Sequence, residues 1–103
     1  MNKVINLDAE DKLRLAGSIE ITIKKIKSFQ KLSELVRERM INILENIKAC
    51  YCGKVCRQFK PSKKDFKKLI EILLEIKKLE CTTVEDYNNL DNVSALIKTI
   101  LKD

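Results

Sequence analysis

A chain of 103 residues with 45% hydrophobic and 35% charged side chains is long enough for one core and too apolar to stay disordered. Two glycines and one proline are too few for the frequent turns of a many-stranded β fold, and the absence of histidine excludes Ser-His-Asp and Cys-His catalysis. The net charge of +6 is concentrated: seven Lys/Arg stand against one Asp between Tyr51 and Lys68, and the residues beyond are net acidic.

Met1 to Asp8 lacks the apolar segment of a secretory signal, and no apolar run approaches the roughly 20 residues of a membrane span. An intracellular, reducing compartment (cytoplasm or nucleus) is therefore expected, with the cysteines as thiols or metal ligands. Asp8 is positioned to cap a first helix, with Glu10 and Asp11 in its first turn. Leu13, Ala16, Ile19, Ile23, Ile26 and Phe29 recur at helical spacing and predict its inward face. The alternation from Ile19 to Lys24 also fits a strand, but no partner strand is evident, so helix is preferred.

A second helix is expected from about Leu32 to Cys50, with Leu32, Val36, Met40, Ile43, Ile47 and Cys50 inward and a break near Ser28 to Ser33. Gly53 and Pro61 punctuate the chain after it, and Ser62 with Asp65 forms a variant capping box for a third helix. Phe66, Leu69, Ile70, Leu73, Ile76 and Leu79 predict its buried side. Thr82 with Glu85 predicts a short fourth helix carrying Val84 and Tyr87, and Asp91 a cap for a fifth with Val93, Leu96, Ile97 and Ile100 inward. The expected fold is all-α: one domain over 1–103, a compact bundle of four to five helices with short connections.

Two constellations bear on chemistry. Cys50, Cys52, Cys56 and Cys81 supply four thiolates, the number a tetrahedral zinc site needs, although Cys-x-Cys-x₃-Cys is not the paired zinc-knuckle spacing. The alternatives are small core thiols, or less readily a disulfide such as Cys56–Cys81. Lys54, Arg57, Lys60, Lys63, Lys64, Lys67 and Lys68, interleaved with Tyr51, Phe59 and Phe66, form a basic patch suited to phosphates and stacked bases. With one Arg among seven cations, it favours backbone contact over base reading. Lys24, Lys25, Lys27 and Lys31 make a lesser run, and acids such as Glu34, Glu38, Glu71 and Glu75 read as a solvated helix face.

The stretch from Asp65 through Leu79, then Cys81-Thr82, then Leu90, Val93 and Leu96, resembles the helix–turn–helix succession of the TFIIS N-terminal domain group, and within it the integrase-binding domain of LEDGF-type proteins. That resemblance covers residues 65–103 and implies a right-handed helical bundle that docks short disordered peptides in transcription-associated assemblies. It transfers no binding residue, because the region around Pro61 and Ser62 is basic where the family carries an acidic loop.

No acid–base constellation and no Gly-rich phosphate loop is visible, and nothing points to a small-molecule substrate, so a non-enzymatic interaction module (adaptor, subunit or inhibitor) is expected. Leu15, Ile21, Leu35, Ile41, Leu44, Ile72 and Leu74 lie off the main stripes, and a second protein or a second copy of the chain would cover whichever are exposed. The alternative is a nucleic-acid-binding protein, such as a small ribonucleoprotein component, using Lys54 to Lys68. The surface left free, apolar stripes or basic patch, separates the two.

Overall fold

α1 spans Ala9–Ser28 in the computed structural model, which describes residues 8–52 and 61–102. Asp8 caps it: the carboxylate accepts from the Asp11 backbone N–H at 2.7 Å, with Glu10 and Asp11 at the positive end of the helix dipole. The run from Ile19 to Lys24 is helical. Its Thr22 hydroxyl donates to the Ser18 carbonyl one turn back, at 2.8 Å, so a buried β-branched polar residue is satisfied inside the helix.

The inward face of α1 holds Leu15, Ser18, Ile19, Thr22, Ile23 and Ile26, and Leu13 is not on it. Leu13 is 79% exposed. The expected stripe linked Leu13 to Ile19 through two consecutive steps of three. Each such step turns about 60° back around a helix, so the pair leaves the core face. Leu79 is lost from the buried side of α3 in the same way, through Leu73 and Ile76, and is 54% exposed.

α1 ends inside the expected break because Phe29 turns extended and sends its ring into the core. Arg37 then closes the connection. Its Nε donates to the Ile26 carbonyl at 3.2 Å, and its Nη2 to the carbonyls of Phe29 at 2.7 Å and Leu32 at 3.1 Å. These carbonyls lie at a helix end and in a turn, where acceptors lack helical partners. Ser33 accepts from the Val36 N–H at 3.4 Å and opens α2, Glu34–Cys52, whose buried residues are Met40, Ile43, Leu44 and Ile47.

α3 is Lys63–Leu79, capped by Ser62, which accepts from the Asp65 N–H at 3.1 Å. Where two further helices were expected there is one, α4, Val84–Leu101. Its cap is Thr83 and not Thr82: the Thr83 hydroxyl accepts from the Asp86 N–H at 3.1 Å. Asp91 caps nothing. It sits inside α4, where its carboxylate accepts from Lys77 Nζ at 2.7 Å. No Gly or Pro interrupts Val84 to Leu101, so helical hydrogen bonding continues past Asp91.

α1 is the central element and packs against both α2 and α4, while α3 packs mainly on α4. Ion pairs fix the directions. Glu20 meets Lys48 at 2.7 Å across α1 and α2, and Lys25 meets Asp86 at 3.1 Å across α1 and α4. The α1–α4 seam also carries a polar row. Ser18 donates to Asn89 at 2.8 Å and accepts from Asn92 at 3.5 Å, which ties the first helix to the last in one register. One cluster of buried residues draws on all four helices, and the radius of gyration of 13.0 Å matches a compact body of this length. Of the seven off-stripe residues, Leu15, Leu44 and Ile72 are core, Ile21 and Ile41 pack against it, and Leu35 and Leu74 are exposed.

Gly17 has no tertiary reason to be glycine. A Cβ there would meet nothing within 4 Å, and the residue lies mid-helix. Gly17→Ala is expected to raise stability by about 0.5–1 kcal/mol. Urea unfolding measures this, and a loss of stability would show that the α1 backbone there departs from a regular helix.

Candidate functional site

The basic patch divides at Pro61. Lys54, Arg57 and Lys60 lie outside the described residues, while Lys63, Lys64, Lys67 and Lys68 occupy the first two turns of α3 and are all exposed. Helical geometry places these four within about 140° of arc, opposite the arc that carries Phe66, Leu69 and Leu73 into the core. Glu71 and Glu75 follow on the same side one and two turns later, also exposed. Among the described residues, none of the four lysines makes an ion pair.

Their acidic neighbour is engaged elsewhere. Arg39 of α2 forks onto Asp65, with Nε and Nη2 at 3.0 and 2.9 Å from the two carboxylate oxygens. The Arg39 guanidinium holds the Asp65 carboxyl below the usual carboxylate range, and the Ser62 cap adds to this against the opposing effect of burial. A lowered native pKa stabilises the fold above the unfolded value, about 3.9 for Asp, and that gain disappears as pH falls through the native value. Asp65→Asn should therefore flatten the acid limb of the stability curve below about pH 4. Unfolding followed in acid and near neutrality tests this; an unchanged acid limb would mean that the pair contributes nothing there.

The structure brings one residue of the lesser basic run, Lys31, to the α3 lysines, while Lys24 and Lys27 line another groove and Lys25 pairs with Asp86. Lys31, in the α1–α2 connection, and Lys68 line one open recess of about 410 Å³ together with Leu32, Ser33, Val36, Glu71, Ile72 and Glu75. The recess exists because α3 crosses the end of the α1–α2 hairpin, as the Arg39–Asp65 pair and the Lys25 Nζ bond to the Glu80 carbonyl at 3.3 Å also show. No local signal in the sequence announces that crossing. The larger open groove, about 580 Å³ between α1 and α2, has Ala16, Ile23 and Ala49 beneath mixed charges, and its Glu20 and Lys48 are paired.

The aromatic part of the expected patch is corrected. Phe66 is buried in the core and cannot stack on a base, Tyr51 is half-buried against the core, and Phe59 lies outside the described residues. Of the proposed zinc ligands, Cys50 and Cys81 are half-buried, and Cys56 and the Cys52 side chain lie outside the described residues. Among the described residues no three Cys, Asp or Glu side chains gather as a metal site. Burial pushes the Cys81 thiol above its usual range, which disfavours the thiolate that a metal or an electrophile needs.

Of the other buried polar residues, Ser94 has a buried hydroxyl without a hydrogen-bond partner among the described residues, and Lys77 is paired. Lys77 reaches Asp91 at 2.7 Å and lies 5.1 Å from the centre of the Tyr87 ring, which fastens α3 to α4. Leu79, Val84 and Tyr87 are exposed around the turn between those helices. Among the described residues, no helix is long and apolar enough to cross a membrane. Comparison with protein-family models, curated proteins and solved structures finds no match to this chain.

Proposed function

We propose that this chain is a non-enzymatic helical binding module that engages an anionic partner through the lysine face of α3. One observation carries the reading: Lys63, Lys64, Lys67 and Lys68 are exposed together, while of the seven apolar residues off the main stripes only Leu35 and Leu74 are exposed. Clustered, unpaired cations raise the local concentration of anions and steer their approach. The test is retention of the full chain on an immobilised polyanion such as heparin, with elution by salt. Lys64→Gln with Lys68→Gln is expected to elute at clearly lower salt than the parent. Elution unchanged by the double substitution would take the function away from this face.

A second reading has its own observation. Leu79, Val84 and Tyr87 expose apolar surface within nine residues at the α3–α4 turn, where another protein or a second copy of the chain could dock. A transcription-associated role belongs to this reading and rests on the hydrophobic spacing that residues 65–103 share with the TFIIS N-terminal group. Val84→Glu would abolish such docking and leave polyanion retention intact.

A further inference from the structure

The first two turns of α3 break the rules that stabilise helices. Cations at a helix N-terminus oppose the positive end of the dipole, and Lys63 and Lys64 stand at the first two positions. Lys63 with Lys67 and Lys64 with Lys68 are like charges four residues apart, which repel on one helix face. The other helices follow the rule: α1 has Glu10 and Asp11 in its first turn, α2 has Glu34, and α4 has Glu85 and Asp86. Asp65, the acid of the α3 first turn, is drawn to Arg39. A local rule broken four times over one face, whose lysines form no ion pair among the described residues, is the pattern of a surface selected for binding.

From this face we infer that the anionic partner is a nucleic-acid duplex, contacted along its phosphate backbone by Lys63, Lys64, Lys67 and Lys68 of α3 together with Lys31. The inference rests on the anionic-partner reading and narrows it. The lysines extend about 7.5 Å along the helix axis, against about 3.4 Å of axis per phosphate on each strand of a duplex. Lys31 enters from a different element and widens the face across the recess it shares with Lys68. One feature favours a duplex over a single strand: the described part of the face has no exposed aromatic ring on which unpaired bases could stack, since Phe66 is core. Its cations are lysines, point charges suited to phosphate contact rather than bidentate base reading. Glu71 and Glu75 lie on the α3 side of the recess, so the duplex lies toward the N-terminal turns.

The test uses the full chain and fluorescence anisotropy with a mixed-sequence duplex DNA of about two helical turns, titrated at several salt concentrations. Five phosphate contacts predict a slope of log K on log salt of about −4.5, and Lys64→Gln with Lys68→Gln should reduce its magnitude by about 1.8. Each lysine removed should weaken binding at low salt by on the order of tenfold. Lys31→Gln should cost about as much as any one α3 lysine. The double variant should unfold no more readily than the parent, because the Lys64–Lys68 repulsion is relieved, so lost binding cannot be assigned to lost structure. A parallel titration with oligo-dT and with poly-glutamate separates the claims. Oligo-dT bound as tightly as duplex overturns the duplex inference. Poly-glutamate bound as tightly as DNA overturns the nucleic-acid inference and leaves the anionic-partner reading standing. Binding of none of the three overturns both, and an unchanged slope for Lys31→Gln overturns the joint face.

Discussion

Phe29→Ala is expected to lower the unfolding free energy by about 3–5 kcal/mol, the cost of emptying a closely packed aromatic site. Phe29 is 1% exposed and is the residue at which α1 ends, so its ring both fills the core and fixes where the chain leaves the helix. For a domain of this size that loss is a large share of a total of about 5–15 kcal/mol. Urea unfolding monitored by circular dichroism gives the value. A loss below about 1 kcal/mol would mean that the surrounding side chains close over the cavity.

Arg37→Met should cost about 2–3 kcal/mol, because one guanidinium serves three carbonyls, of which those of Ile26 and Phe29 otherwise accept from one backbone N–H each, at 3.2 and 3.5 Å. The three bonds share one planar fork, so their losses do not add as independent terms. Arg37→Lys keeps the charge and loses the fork, and should recover little of the stability. If Lys restored parent stability, charge near the end of α1 would matter and the three-carbonyl clamp would not. The Met variant keeps an unbranched aliphatic stem, so the comparison isolates the polar head.

The sequence made the helices legible where a local side chain does a local job. Asp8 and Ser62 cap as their spacing implied, and the break between Ser28 and Ser33 falls where expected. Legibility failed where neighbours compete. Thr82 and Thr83 are adjacent hydroxyls, and only the backbone decides that Thr83 caps α4. Asp91 carries the signature of a cap, but Lys77 across the interface uses that carboxylate. Of the candidate site, the α3 lysines were readable as a run, and their common face follows from helical spacing. The meeting of Lys31 with Lys68 was not readable, since the two stand 37 residues apart and meet only through the way α3 crosses the α1–α2 hairpin. Arg37 was missed because its acceptors are main-chain carbonyls, which carry no sequence signature.

The seam between α1 and α4 also governs how the molecule comes apart. Ser18 meets Asn89 and Asn92 across separations of 71 and 74 residues, so this seam closes a loop spanning most of the chain. Closing a loop that long costs about 4 kcal/mol of chain entropy beyond a fixed constant, while the α1–α2 and α3–α4 hairpins close locally. Since α1 is covered by α2 on one flank and α4 on another, neither α2 nor α4 can leave without baring the same central helix. Loss of either neighbour therefore exposes the buried face of α1. The amides of α1 facing that seam, around Ser18 to Ile26, should exchange with solvent only when the whole domain unfolds.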